Sequence, residues 1–235
     1  MSLLPRRTSP QPIRLGGADL LAEASGALIW PETQTLIVAD LHLEKGSSFA
    51  ARGVMLPPYD TRATLERLAL TAAHYAVTRI ICLGDSFHDC TAHARLADDD
   101  AKRLTALTAG VDWIWIAGNH DPAPPIALGG RVVAGELRLG PLVFRHIAAP
   151  LFATGEVSGH YHPKASINVR GRRLSGRCFV HDEQRLVLPA FGAYAGGLDV
   201  FDPDLRALFP GDFAVQLLAR ERITTVPQAR LARTG

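Results

Sequence analysis

Three short apolar runs, each ending in polar residues, organise the first half of the chain. They are QTLIVAD at 34–40, RIICLGD at 79–85 and DWIWIAGN at 112–119. A continuous apolar run of this length predicts a strand buried on both faces. The spacing of leucine and alanine between these runs predicts one helix over 60–77 and another over 92–108. Alternating strands and helices predict a parallel sheet with right-handed crossovers.

The pattern changes after the proline-rich segment DPAPP. Short strand-like segments then alternate with glycine-containing turns between residues 135 and 201. This spacing predicts antiparallel strands in a second sheet that packs on the first. The predicted fold class is therefore α/β, as a single domain over 1–235. The polar or proline-interrupted ends, 1–10 and 224–235, are predicted to be flexible.

Composition and charge exclude several classes of protein. The 25 Lys and Arg nearly balance the 23 Asp and Glu, which argues against a strongly basic nucleic-acid coat protein. Three cysteines without a Cys-x-x-Cys pair exclude a disulfide framework and predict a reducing, cytoplasmic location. The sequence has no membrane-spanning apolar run and no export signal. It also lacks the phosphate-binding, nucleophile-elbow and dinucleotide motifs of kinases, serine hydrolases and dehydrogenases.

Metal-binding residue types follow each of the three apolar runs and two later strands. Reactive groups gather at the carboxyl ends of strands in open α/β sheets. Side chains two residues apart on extended backbone point the same way. The pair Asp40 and His42 and the pair His160 and His162 are therefore each predicted to bind an ion. Carboxylate, amide and imidazole ligands without thiolate suit Mn²⁺, Fe²⁺ or Zn²⁺. The candidate ligands are Asp40, His42, Asp85, Asn119, His146, His160 and His162.

Seven ligands are too many for one ion and suit two. Two divalent ions about 4 Å apart repel by on the order of 17 kcal/mol at an effective dielectric near 20. They therefore need a shared anion, and Asp85 is predicted to be that bridge. The small excess of positive charge that remains would favour an anionic substrate such as a phosphodiester.

The ordered motifs D-x-H, G-D-x-x-H-D, G-N-H-D, a lone His and G-H-x-H, over residues 36–163, resemble those of the calcineurin-like metallophosphoesterases. The surrounding segments ADLHLEKGSSFAARGVMLPPYDT, ICLGDSFHDC and LPAFGAYAGGLDVF resemble more narrowly the bacterial ligase-associated DNA damage response endonuclease (PdeM-type) subfamily, as far as about residue 201. The resemblance implies a four-layer α/β/β/α sandwich of two mixed sheets flanked by helices.

The resemblance also implies roles for individual residues. One ion would be held by Asp40, His42, Asp85 and His162, and the other by Asp85, Asn119, His146 and His160. The ions would be Mn²⁺, with Fe²⁺ or Zn²⁺ as alternatives, and would lower the pKa of the water that attacks phosphorus. His120 would contact the phosphoryl group and protonate the departing alkoxide.

Three further residues near these motifs have candidate roles. His88 stands where double-strand-break repair nucleases of the superfamily carry a histidine, which predicts a role in cleaving a diester or DNA. Asp89 and Asp121 have two readings that stay open. Each would either orient a neighbouring histidine as a hydrogen-bond acceptor or cap a turn or helix.

Residues 157–181 contain no acidic residue and begin beside the G-H-x-H motif. The basic side chains of this stretch would either contact the phosphates of a nucleic acid or belong to a solvated hairpin. They are Lys164, Arg170, Arg172, Arg173 and Arg177.

The sequence therefore predicts a metal-dependent phosphodiesterase, and the subfamily resemblance implies work on DNA during repair beside a DNA ligase and a processing nuclease. Two alternatives remain. One is hydrolysis of a small diester or pyrophosphate derived from a nucleotide, which a narrow pocket would favour over an open groove. The other is an inactive, metal-bearing subunit that binds partner proteins.

Overall fold

A computed structural model of the chain describes residues 9–150, 154–219 and 222–233. Within these residues the chain forms two β-sheets that pack face to face, together with four α-helices. No helix of the described ranges is both long and apolar enough to cross a membrane.

The first sheet contains seven strands of the described chain, which follow one another in space in chain order. The first four strands are antiparallel and the last four are parallel. The three apolar runs form the parallel strands β4, β5 and β6, as predicted; β1 to β3 and β7 were not predicted. The strands are β1 (Gln11–Leu15), β2 (Ala18–Ala22), β3 (Leu28–Trp30), β4 (Thr35–Val38), β5 (Arg79–Leu83), β6 (Asp112–Ile116) and β7 (Arg131–Val133).

The second sheet is built by the C-terminal half, as predicted. Its order in the described residues is β15-β14-β12-β13-β10-β9-β8, and β11 pairs with β12 as a hairpin. The strands are β8 (Glu136–Leu139), β9 (Leu142–Arg145), β10 (Glu156–Ser158), β11 (Lys164–Val169), β12 (Arg172–His181), β13 (Arg185–Val187), β14 (Ala214–Ala219) and β15 (Arg222–Pro227).

The prediction that this sheet is antiparallel is wrong at its centre. Strand β10 pairs in parallel with both β9 and β13. The connections between these strands are too long for tight hairpin turns, so the chain returns to the sheet in the same direction. The segment GGLDVF was expected to be a strand, but it contributes only an isolated bridge between Lys164 and Asp199.

The helices are α1 (Lys45–Ala50), α2 (Asp60–His74), α3 (Asp98–Gly110) and α4 (Pro203–Arg206). The helix predicted over 92–108 is divided into a 3₁₀ turn at Ala92–Arg95 and the longer α3. Leu96 interrupts it with extended backbone. The three aspartates that follow lie in the first turn of α3, where the helix dipole favours negative charge.

Three apolar clusters separate four layers. The cluster between the sheets includes Ile81 and Phe144. A second cluster packs the outer face of the first sheet against α2 and α3, and Leu104 belongs to it. A third covers the outer face of the second sheet and includes Leu205 and Phe209. The predicted sandwich of two mixed sheets is therefore confirmed, with a thin fourth layer because α4 has only four residues.

The chain ends differ from the expectation of flexibility where they are described. Residues 222–227 form β15, which pairs along its length with β14. Ile223 is buried in the cluster between the sheets and Val226 in the cluster on the outer face of the second sheet, so the strand contributes to the core on both faces. Residues 1–8 and 234–235 lie outside the described residues, and the single domain over 1–235 stays a prediction.

Candidate metal centre and active site

The polar motifs of both sheets meet at one edge of the sandwich. Asp40 follows β4, Asp85 follows β5, and Asn119 follows β6. From the second sheet, His146 follows β9 and the GHYH segment follows β10. The carboxyl ends of neighbouring parallel strands lie at the same edge, which brings together residues far apart in the chain.

The first ligand group consists of Asp40, His42 and His162, whose potential ligand atoms lie within 4.8 Å of one another. The Nε2 atoms of His42 and His162 face each other at 3.3 Å. The Nε2 atom of His162 is also 3.4 Å from Oδ1 of Asp40. Lone pairs that converge in this way suit a cation.

The second ligand group consists of Asp85, His146 and His160, which satisfy the same distance limit. The Nε2 atom of His146 lies 3.4 Å from Oδ1 of Asp85 and 3.2 Å from Nδ1 of His160. Asn119 joins this group, because its Oδ1 is 2.8 Å from the same His146 nitrogen. The structure therefore divides His160 and His162 between the two groups, as the family resemblance implies, rather than pairing them on one ion.

The two ligand groups are neighbours. Nδ1 of His146 in the second group is 3.9 Å from Oδ1 of Asp40 in the first. Asp85 of the second group acts electrostatically on His42 of the first. This adjacency is what a shared bridging ligand requires, and the bridging role of Asp85 stays a prediction.

The donor set fits divalent cations. Oδ1 of Asp40 and Nδ1 of His42 are buried without a hydrogen-bond partner among the described residues. An unpartnered buried carboxylate oxygen is costly unless a cation or donor satisfies it. Burial lowers the pKa of His42 to about 3, despite the attraction of Asp40. The imidazole is therefore neutral near pH 7, which is the form that binds metal.

Hydrogen bonds and nearby charges stabilise the charged forms of Asp85 and His146. Burial acts to raise the pKa of Asp85, but His146 and the backbone N–H of His120 stabilise the carboxylate and lower the pKa to about 2. Burial acts to lower the pKa of His146, but Asp85 and Asp40 outweigh it and raise the pKa. A cation between these groups would reverse the pull on His146.

Two further histidines border the first ligand group. The backbone N–H of His120 donates to Oδ1 of Asp85 at 2.9 Å, and Nδ1 of His120 lies 2.9 Å from the carbonyl oxygen of His88. Since a carbonyl only accepts, Nδ1 carries the proton. Nε2 of the half-exposed ring lies 4.0 Å from Oδ2 of Asp85. The rings of His88 and His120 stack with their centroids 5.6 Å apart, and His88 is buried.

The two aspartates with open readings prove to anchor backbone. Asp89 accepts from the N–H of Thr91 at 3.0 Å and pairs with Arg95 at 2.6 Å, so it caps a turn. Oδ2 of Asp121 accepts from the N–H groups of Ser86 and Phe87 at 2.8 and 3.0 Å. Asp121 thereby fixes the loop that carries Asp85, which supports the capping role among its two predicted roles.

The backbone of the ligands corrects the argument from extended alternation. The φ angles of five ligands lie in the left-handed region, so these residues do not alternate as in a strand. They are Asp40 (54°), His42 (44°), Asp85 (46°), His160 (72°) and His162 (47°). Two glycines permit the close packing: a Cβ at Gly84 would overlap the His146 ring, and one at Gly118 would overlap Asp85.

The basic stretch divides into two parts. Arg170, Arg172 and Arg173, here called the hairpin arginines, are exposed around the tip of the β11–β12 hairpin. Lys164, at the base of the hairpin, lines a small cavity. Arg177 is instead half-buried and donates to the carbonyl oxygens of Ala190 at 2.6 Å and Ser25 at 3.4 Å, which occupies its guanidinium within the protein.

The helix α1 lies beside the stacked rings of His88 and His120, and its residues were not among the predicted site residues. The Phe49 ring is 6.0 Å from the His88 ring, and Nζ of Lys45 is 5.9 Å from the Phe49 ring. The signal was present, because Lys45 and Phe49 are four residues apart and follow the D-x-H motif closely.

Comparison with protein-family models matches residues 33–193 to the calcineurin-like phosphoesterases. Among solved structures, the Pseudomonas putida nuclease MPE is similar, with a TM-score of 0.71 and 30% identity over 92% of this chain and 100% of that one. The Escherichia coli phosphoesterase Yfce gives a TM-score of 0.43 and 16% identity over 82% of this chain and 97% of the other. Comparison with curated proteins gives no significant match.

The family match spans all the strand-end motifs, from Asp40 to His162, and the ligand groups supply the residue types that divalent metals require. The chain therefore belongs to the calcineurin-like phosphoesterase family and is a metal-dependent phosphoesterase.

Proposed function

We propose that the protein is a dinuclear-metal phosphodiesterase that cleaves DNA. The observation that carries the proposal is the adjacency of the two ligand groups, whose histidine and aspartate side chains come within 3.9 Å of each other. Bound divalent ions would supply a nucleophile at neutral pH and Lewis acidity toward the phosphoryl oxygens. Mn²⁺ is the proposed ion, as the family resemblance implies, although the carboxylate, amide and imidazole ligands also suit Fe²⁺ and Zn²⁺.

Residues of the chain would handle the leaving group. The His120 ring is half-exposed, with Nε2 4.0 Å from Oδ2 of Asp85 and Nδ1 fixed by the His88 carbonyl. We assign His120 the contact to the phosphoryl group. With Nε2 protonated as well as Nδ1, the imidazolium would give its Nε2 proton to the departing oxygen. His88, stacked on His120, would act beside it on the leaving group of a diester.

The nuclease assignment is supported by the similarity to the Pseudomonas putida nuclease MPE, which spans nearly the whole chain. A second candidate, hydrolysis of a small nucleotide diester, is favoured by a cavity of about 420 Å³ beside Asn119 and His146. Cavities of this size accept small ligands. The two candidates predict different substrate preferences: a nuclease should cleave DNA, whereas an enzyme that uses this cavity should prefer a small diester.

The cellular setting forms part of the same proposal. We infer a role in DNA repair beside a DNA ligase and a processing nuclease, in the cytoplasm. The three cysteines form no disulfide, and Cys90 is exposed as a free thiol. This supports a reducing compartment.

A substrate panel tests the proposal. An aryl monoester, an aryl diester, single- and double-stranded DNA and RNA are each incubated with Mn²⁺, Mg²⁺ or chelator. We expect diester and DNA cleavage with Mn²⁺, no cleavage with chelator, and loss in Asp85→Asn. Asp19→Asn, an exposed change on β2, is the matched control.

Each other outcome has a distinct meaning. Cleavage of small diesters but of no nucleic acid would refute the nuclease assignment and favour the second candidate. Protein that binds Mn²⁺ but hydrolyses none of the substrates would be the inactive subunit.

A further inference from the structure

The short helix α1 forms a wall next to the leaving-group histidines. Lys45, Phe49 and Arg52 are spaced by four and three residues, which puts them on one side of the helix and the turn that follows. Phe49 is half-buried, with its ring 6.0 Å from that of His88. Nζ of Lys45 lies 5.9 Å from the Phe49 ring centroid, and Arg52 is anchored to Ser48 Oγ at 3.3 Å.

The charge of this wall is positive toward His88. Lys45 and Arg52 both act electrostatically on that imidazole, and Asp89, which opposes them, is paired with Arg95 at 2.6 Å. The nearby acids have other partners: Glu44 accepts from Thr61 Oγ1 at 2.9 Å, and Asp60 accepts from the backbone of α1 at 2.9 Å. Asp60 also attracts Lys45 and offsets part of its charge, while Arg52 is exposed.

An aromatic face beside two cations matches the chemistry of single-stranded nucleic acid. Bases stack on aromatic rings regardless of sequence, and cations contact the phosphates between them. The wall continues directly from the metal ligands, because only two residues separate His42 from Lys45. A strand whose scissile phosphate lies at the ligand groups would therefore meet this wall on the side of His88.

We propose that Lys45, Phe49 and Arg52 form a subsite for the nucleotide that flanks the scissile phosphate. Phe49 supports the flanking base, and Lys45 and Arg52 contact the next phosphate of the strand. The subsite rests on the proposed nuclease function. It deepens that function by giving the enzyme a preference for a polynucleotide over a diester that has no neighbouring phosphate.

The test compares two substrates of the Mn²⁺-loaded enzyme. Oligothymidylate has flanking nucleotides, whereas bis-p-nitrophenyl phosphate has none. In the double variant Lys45→Ala/Arg52→Ala, kcat/KM for oligothymidylate should fall at least tenfold more than kcat/KM for the aryl diester. The slope of log kcat/KM against log salt should flatten by about 0.7, since the two cations contact one phosphate and each neutralised phosphate of a single strand contributes about 0.7. Lys102→Ala/Arg103→Ala, two exposed cations on α3, is the matched control and should change neither value.

Phe49 is tested separately. Phe49→Ala should reduce kcat/KM for oligothymidylate at least fivefold, the loss expected for one stacked base, and Phe49→Tyr should restore it. Phe49→Ala and the wild type should cleave an oligonucleotide with abasic sites at equal rates, because it offers no base to stack on the ring.

Three results would overturn the subsite. A double variant with wild-type kcat/KM and wild-type salt slope would refute the subsite without contradicting the proposed nuclease function. An equal proportional loss on both substrates would mean that α1 only supports the ligand groups. A wild-type enzyme that hydrolyses the aryl diester but no oligonucleotide would instead refute the proposed function, and the subsite with it.

Discussion

Gly118 offers a sharp test of the packing behind the candidate metal centre. A methyl group at this position would overlap the backbone nitrogen and Oδ1 of Asp85 and would lie 2.7 Å from Oδ1 of Asp121. Carbon contacts are optimal at about 3.5–4.0 Å, so the neighbours would have to move by roughly 1 Å. Gly118→Ala should therefore displace Asp85, the predicted bridge between the two ligand groups.

The expected size of the effect differs between stability and activity. Overpacking a dense interior destabilises by about 1–3 kcal/mol, which leaves most of the protein folded. Misplacing a reacting group by about 1 Å lowers rates by on the order of 100-fold. We therefore expect Gly118→Ala to fold while its Mn²⁺-dependent turnover of bis-p-nitrophenyl phosphate falls about 100-fold.

The control is Gly110→Ala at the end of α3, where an added methyl group meets open space. It should retain wild-type turnover and unfold at the same or a slightly higher urea concentration. Turnover of Gly118→Ala within a factor of two of wild type, in folded protein, would refute the argument that close packing at this glycine positions Asp85.

Four other changes test the rest of the centre and the basic stretch. Asp121→Ala leaves two buried N–H groups unpaired and should destabilise the protein by about 2–4 kcal/mol in urea unfolding; a loss below about 1 kcal/mol would contradict its anchoring role. Burial and the charge of Lys45 lower the pKa of His88 to about 4, below the unfolded value of 6.5, so its contribution to stability is present above pH 6.5 and is lost as the pH falls toward 4. In chelator, His88→Asn should therefore flatten the rise of unfolding free energy between about pH 5 and 6 by about 1 kcal/mol per pH unit, and an unchanged slope would contradict the shift. Replacing the hairpin arginines with alanine should flatten the salt dependence of DNA binding, by about 0.9 per lost duplex phosphate contact. Arg177→Met removes a hydrogen bond inside the protein and should lower the free energy of unfolding without changing that slope. A flatter slope with unchanged stability would instead assign the phosphate contact to Arg177.

The candidate ligands were predictable from local sequence because each follows a buried strand or belongs to a compact motif. The apolar run before Asp40 or Asp85 fixes a strand, and the polar residues after it must then lie at the sheet edge. The assignment of each imidazole to one of the two ligand groups could not be predicted from the spacing of the residues. His160 and His162 separate because their backbone is left-handed, and alternation along an extended chain does not describe such residues.

Other features depend on contacts between distant segments. The charge of Arg177 is visible in the sequence, but its bond to the Ala190 carbonyl exists only in the folded sheet. The parallel pairing of β10 depends on where long connections return. By contrast, the hairpin of β1 and β2 had a local signal that went unused: Gly16 and Gly17 stand between alternating apolar residues.

Left-handed backbone at five ligands carries an evolutionary consequence. Each such residue other than glycine is strained by about 1 kcal/mol or more, and the strain persists only while the surroundings enforce it. Drift to glycine or asparagine at these positions would relieve strain and gain stability at the expense of activity. A lineage released from selection for hydrolysis should therefore lose His42 and His162 early, and thermostabilised descendants should carry glycine or asparagine there.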